Sequence, residues 1–287
     1  MFLAAFLANA ANKFFVADLD HELQYGFYAR IFDFQGDAPD QYRILPLLPL
    51  KLLCRFFPFN HSVLIYNLVF GFIVLELLWQ MSSGFELRTR HGLSFGLSVL
   101  YIFMQYTGWR PDTMGLLCLS FAAAWSLRFL KASDGKLLLY GLSVLLLSGS
   151  RADIALVYAL FATFYCGRLY AIWIPMPVIV QVLMQEVIFP STQYYSKVFM
   201  LWDNLRLHYL LYNPATCLAL AALVAFWNPI VHFVRRTSGR SLYFYILATG
   251  YFLLVLVIGR VNEYRLYLPL VPILLIIAHE SRHAERK

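Results

Sequence analysis

Apolar residues occupy this chain in long blocks, and polar residues gather in the short intervals between them. Ten blocks stand out, at 2–17, 62–81, 93–107, 113–130, 137–149, 154–167, 170–188, 208–228, 242–259 and 266–279. They lack the period of two that marks a half-buried strand, and several approach the roughly 20 residues that carry a helix across a bilayer core. Inside hydrocarbon every backbone N–H and C=O must be satisfied within the protein, so segments this apolar predict helices. The expected fold is all-α: a polytopic membrane bundle of about ten spans, forming one domain over 1–287. The pair 137–149 and 154–167 also fits one broken or re-entrant element. The first block is short and holds Asn9, Asn12 and Lys13. No basic stretch precedes it, so it reads as a short first span, complete or truncated, rather than a secretory signal.

Residues 18–60 form the first outer loop, with two segments that do not span. In 23–34 the aromatics Tyr25, Phe27, Tyr28, Phe32 and Phe34 interleave with Arg30 and Asp33. That reads as an amphipathic interfacial helix, or more plainly as an aromatic belt. The stretch ILPLLPLKLLCRFF (44–57) carries two prolines and two basic residues and reads as a surface-lying or partly inserted helix.

Composition sharpens the class. The chain is 61% hydrophobic and 14% charged, with a mean hydropathy of +0.64, where a soluble domain carries about 25% charged residues. The net charge of +7 is spread along the loops, which points to membrane orientation and away from nucleic acid. If the blocks alternate, ELRTRH (86–91), FLKASDGK (129–136), HFVRRTSGR (232–240) and ESRHAERK (280–287) share one side. The positive-inside rule makes that side cytoplasmic, with both termini inside an integral membrane protein; a bacterial inner membrane is the location expected from the family resemblance given below. Cys54, Cys118, Cys166 and Cys217 stand singly, without CxxC spacing, so buried structural thiols are expected rather than a zinc site or disulfides.

Alternation then places every acid–arginine cluster on the other, outer face: DLDHE (18–22), DQYR (40–43), WRPD (109–112), SRAD (150–153) and RVNEYR (260–265). Taken singly, Arg110 with Asp112, or Arg151 with Asp153, can be a pair at a helix mouth, where an acid complements the helix dipole. Five such clusters on one face suggest a site, because ionisable groups near membrane depth are costly. Arginines hold phosphate through forked hydrogen bonds, and a carboxylate can act as general base or bind a divalent ion. The alternate spacing of Asp18 and Asp20 sets two carboxylates close together, one to orient or deprotonate and one to hold a neighbour or metal. The set fits a lipid tail in the bilayer with its phosphate at the surface, hence group transfer from a lipid phosphate.

These motifs resemble the GT-C superfamily of membrane glycosyltransferases, which take sugars from polyprenyl-phosphate donors. Its members include protein mannosyltransferases and the lipid A aminoarabinose transferase. Asp18-Leu19-Asp20 stands where the family carries paired acids after its first span, and 23–34 where it has a juxtamembrane helix. QYRILPLLPLKLL (41–53) is similar to the tyrosine–arginine–proline stretch of bacterial relatives. WRPDTMGLL (109–117), SRADIALVYAL (150–160) and NEYRLYLPLVPILL (262–275) are similar to its entries into later helices. The resemblance implies a short or minimal member. By carry-over, Asp18, or Asp20 just behind it, is the catalytic base or acceptor-orienting acid. Glu22, Arg43, Arg110, Asp112, Arg151, Asp153, Arg260, Glu263 and Arg265 would bind substrate. The implied partners are a polyprenyl-phosphate lipid donor, a glycan, lipid or protein acceptor, and membrane lipids. The resemblance fixes no cofactor, and a divalent Mg or Mn ion on Asp18 and Asp20 is compatible with it.

Three other functions fit parts of the pattern. A lipid-linked-oligosaccharide polymerase or ligase needs the same arginines, but usually a larger late outer loop than 189–207. A lipid-phosphate transporter would bind without turnover, and an accessory subunit would only pack. An exosortase-type cysteine transpeptidase needs an outer-edge cysteine, and Cys118 and Cys166 fall inside blocks. His21 is more plausibly a surface histidine than a base or ligand, and His61, His208 and His232 lack metal spacing. Glu76, within an apolar block, either snorkels to the cytoplasmic edge or pairs inside the bundle.

Overall fold

The computed structural model describes residues 21–36, 40–104, 111–129, 134–190, 239–258 and 267–277, and among them the chain is all-helical without strands. Helix α1 spans His21–Phe32. Short 3-10 turns at Asp40–Arg43 and Leu45–Leu47 lead into α2, Leu48–Leu53. Then come α3, Phe59–Met81; α4, Leu87–Met104; α5, Pro111–Phe129; α6, Asp134–Ser148; and α7, Ala152–Cys166. Helix α8 covers Arg168–Ile188, opening as a 3-10 turn at Arg168–Trp173 and ending as a π-helix over Leu183–Ile188. Helix α9 is Gly239–Ile258, and α10 is Leu268–Ile277.

Eight of the ten predicted blocks therefore fall on observed helices, while 2–17 and 208–228 lie outside the described residues. Local chemistry sets several boundaries. Pro58, with ψ 149, holds extended backbone ahead of α3. Pro111 opens α5, where its missing N–H has no intrahelical role to lose. Gly167, at φ 121, ends α7 in a conformation that favours glycine. Two helices, α3 and α8, are long and apolar enough to cross a membrane. Gly135–Ser148, Ala152–Cys166, Ile246–Val255 and Leu268–Ile277 are apolar but shorter. At 1.5 Å per residue, 15 residues of α-helix reach only about 22 Å.

Side-chain contacts fix the helix directions. Tyr66 lies against Gly115, while Trp125 Nε1 donates to Gln80 at 2.8 Å and Arg128 to the Met81 carbonyl at 2.7 Å. Helices α3 and α5 are thus parallel. Tyr140 donates to the Tyr158 carbonyl at 2.7 Å, so 137–149 and 154–167 are two packed helices rather than one broken element. Phe164 stacks on Tyr243 at 4.6 Å while Arg151 reaches Tyr251, which sets α9 antiparallel to α7. Trp173 near the start of α8 lies on Gly141, and Phe189 just beyond its end meets Tyr42. The starts of α3, α5, α7 and α10 therefore gather at one end, with the ends of α6 and α8.

The sequence LPLLP (45–49) recurs as LPLVP (268–272), and both copies fold as 3-10 turns packed on α5. The residue three beyond Pro46 or Pro269 is again proline, so neither carbonyl has a 3-10 N–H donor. A buried tyrosine supplies one: Tyr66 to Pro46 O at 2.6 Å and Tyr158 to Pro269 O at 2.7 Å. Tyr158→Phe should therefore cost about 1–3 kcal/mol, because it strands a buried acceptor. A thermal melt should show the loss, while Tyr243→Phe at an exposed position leaves the melt unchanged.

Candidate functional site

Helix α1 begins at His21, within the acid segment 18–22, and it is tied to the bundle at several points. Tyr28 is buried and donates to Asp112 Oδ1 at 3.0 Å, its ring 6.0 Å from that of Phe59. Gln41 Nε2 donates to the Ile31 carbonyl at 3.2 Å and its Oε1 accepts from Gly36 N at 2.6 Å. Lys51 donates to the Phe32 carbonyl, and its ammonium stands 4.7 Å from the Phe34 ring centroid. The amphipathic helix expected at 23–34 thus turns one face to the bundle. Tyr28 and Ile31 are each 1% exposed, so that face is packed into protein. The 44–57 stretch buries Leu47 and Leu50 in the core while Leu48, Leu52 and Phe56 stay exposed. Phe34 keeps a left-handed φ of 62 with its ring exposed and 5.8 Å from Phe189. A non-glycine residue held there is strained.

The second half of the site lies where α7 starts. Leu45 packs on Gly149, which has no side chain to oppose it, and this seats the turn after Arg43 against the segment just before Arg151. Arg151 Nε donates to Asp153 Oδ1 at 3.0 Å, and its Nη2 also binds Oδ2. The side chains are 14% and 23% exposed. From α9, buried Tyr251 accepts from Arg151 Nη2 at 3.2 Å and donates to Asp153 Oδ2 at 3.4 Å. The charge of Arg43 also acts on the Asp153 carboxylate. Two guanidinium charges thus act on one carboxylate. Tyr267 packs edge-on against Tyr251, ring centroids 6.4 Å apart, and its hydroxyl is buried without a hydrogen bond. A polar group buried in this way costs about 1–3 kcal/mol.

Of the predicted residues, the structure brings Arg43, Asp112, Arg151 and Asp153 to one end of the bundle. Glu22 lies in the first turn of α1. Asp18, Asp20, Arg110, Arg260, Glu263 and Arg265 lie outside the described residues, as do His208 and His232. Asp112 bonds to Tyr28 across 84 positions of sequence, a partner the pairing with Arg110 did not anticipate. Arg151 and Asp153 do pair. Sequence reading missed Tyr28, Gln41, Tyr251 and Tyr267 as site residues; the repeated tyrosine–arginine–LPLxP pattern was a signal for Gln41 and Tyr267, which adjoin or lie in it, and for neither of the others. It also missed Glu186, exposed in the π-helix that ends α8. At the opposite end Glu76 accepts from Gln80 at 3.1 Å, so it pairs inside the bundle. Cys118 is buried as expected, but Cys54 and Cys166 are only half-buried, because both sit at helix ends. Among the described residues no group of three His, Cys, Asp or Glu could hold a metal ion. Compared with known family models, curated proteins and solved structures, the chain matches none.

Proposed function

We propose that this protein is a membrane glycosyltransferase, moving a sugar from a polyprenyl-phosphate donor to an acceptor at the extracytoplasmic face. The observation that carries the reading is the gathering of Arg43, Asp112, Arg151 and Asp153 at one end of an otherwise apolar bundle. Membrane embedding is supported by the outward faces. Leu138 and Leu169 are 73% and 79% exposed, and Val69, Phe72, Val182, Val187, Ile246 and Leu253 are also exposed. An apolar exterior of this extent suits lipid. Arg88, Arg90, Arg128, Lys136 and Arg168 lie toward the other end, in keeping with a cytoplasmic side there. The bundle of about ten spans, with both termini inside and set in a bacterial inner membrane, is part of this proposal.

In the reaction an acid at 18 or 20 takes the acceptor hydroxyl proton as that oxygen bonds to the anomeric carbon. The bond from that carbon to the donor phosphate breaks, and arginines stabilise the charge on the departing polyprenyl phosphate. Asp112 and Asp153 already hold protein partners, which favours positioning roles for them and lends support to an accessory subunit as the second reading. The test uses protein in nanodiscs with a panel of polyprenyl-phosphate sugars and candidate acceptors. Wild type should bind a donor and release polyprenyl phosphate. Asp18→Asn or Asp20→Asn should keep binding and lose release by 100-fold or more, on the order expected for a general base. Binding without release in wild type would favour a carrier, and no binding would sink the reading.

A further inference from the structure

Helix α1 ends in a closure that ordinarily belongs to glycine. Gln35 N donates to the Arg30 carbonyl at 2.7 Å and Phe34 N to the Ile31 carbonyl at 3.2 Å. These are the paired bonds of a Schellman motif, whose left-handed residue is usually glycine. Here that residue is Phe34, at φ 62, and the glycine, Gly36, stands two positions later. Burial does not explain the phenylalanine, because the residue is 57% exposed. Its ring does reach beyond α1. It lies 5.8 Å from the Phe189 ring, and the Lys51 ammonium stands 4.7 Å from its centroid. Phe189 is buried, its ring 6.3 Å from that of Tyr42, and its N–H closes the π-helix of α8 on the Met184 carbonyl at 2.9 Å. Helix α8 itself is exposed at Leu169, Ile172, Val178, Val182 and Val187, from one end to the other.

We propose that Phe34 is a strained catch through which the end of α8 holds α1 closed on the bundle. Its ring contacts offset a left-handed backbone that phenylalanine resists, so the closure stands while Phe189 is in place. A shift of α8 that withdraws Phe189 lets residue 34 relax to negative φ. Both Schellman bonds then break, and the last turn of α1 comes free. Asp20 directly precedes α1 in the chain, so a loosened α1 passes its movement to the acid segment. Helix α8 suits the moving part, since it is widely exposed and ends in a π-helix, a form frequent at functional sites. The catch is independent of the glycosyltransferase reading: it sets when α1 moves, not what the acids do.

The experiment reads amide hydrogen exchange over residues 28–36 of the full chain in phosphatidylcholine nanodiscs. It compares wild type, Phe189→Ala, Phe34→Gly and the double variant. Phe189→Ala should speed exchange of the Phe34 and Gln35 amides about tenfold, in line with the loss of an aromatic pair that held a local opening shut. In the Phe34→Gly background the same change should alter exchange less than about twofold, because glycine holds the left-handed turn without a ring. Phe189→Leu, which keeps an apolar side chain at the buried position, serves if the alanine variant does not fold, with the same sign expected and a smaller rise. No change on losing the Phe189 ring overturns the proposal. An equal rise in both backgrounds also overturns it, since Phe189 would then act through Tyr42 and the general packing rather than through Phe34. A rise at 34 and 35 that leaves the amides of 28–32 at their wild-type rate confines the effect to the turn and overturns the release of α1.

Discussion

Replacing Gly115 by leucine is expected to leave little folded protein. Gly115 lies in the first two turns of α5, and a β-carbon there would run into the Tyr66 hydroxyl and lie 2.8 Å from Pro46 Cβ. Both neighbours are buried and fixed, because Tyr66 donates to the Pro46 carbonyl at 2.6 Å. Leucine therefore overpacks the contact and breaks that hydrogen bond. Overpacking costs about 1–3 kcal/mol, and a stranded buried acceptor about as much again. Their sum, about 4 kcal/mol, is a large share of the 5–15 kcal/mol that holds a typical domain together. The yield of monodisperse protein and its melting temperature should both collapse. Gly92→Leu, where nothing lies within 4 Å of the new β-carbon, should leave them near wild type. A Gly115→Leu protein that melts normally would mean that α5 and the LPLLP turn are not in this contact.

The helices were legible because apolar block length and charge interruption are local properties of the chain. The observed ends of α3, α5 and α6 fall within three residues of the predicted ones, since prolines and charged loops mark them directly. Positions of tertiary contact were not legible. Tyr28 looked like one ring of an aromatic belt, and only the approach of α5 turns it into the donor to Asp112. Tyr251 sits in a uniformly apolar block, where nothing in the sequence distinguishes it until α9 crosses α7 near Arg151. The pairing of Arg151 with Asp153 was visible because they stand two positions apart in the chain. The partner that braces the pair is 100 positions away. Local charge pattern thus located the site, and long-range packing decided which side chains complete it.

That bracing gives the pair a measurable weight. Asp153→Ala should destabilise the protein by about 3 kcal/mol, the range in which removing one partner of a buried pair falls. Arg151, only 14% exposed, would lose its neutralising carboxylate, and Tyr251 would lose an acceptor. Arg43 would add like charge nearby. The double variant Arg151→Met with Asp153→Leu should recover much of that loss, because two apolar side chains of similar volume carry no desolvation penalty. A double-mutant cycle read by unfolding in mixed micelles should give a coupling above about 1 kcal/mol. A coupling below about 0.5 kcal/mol would class the pair with solvent-exposed bridges, and the mouth of α7 would then be wet enough to screen its charges. The same cycle separates two roles for Asp153. If stability returns in the double variant while lipid-phosphate binding does not, Arg151 binds ligand and Asp153 holds it in place. If both return, the pair serves the fold alone.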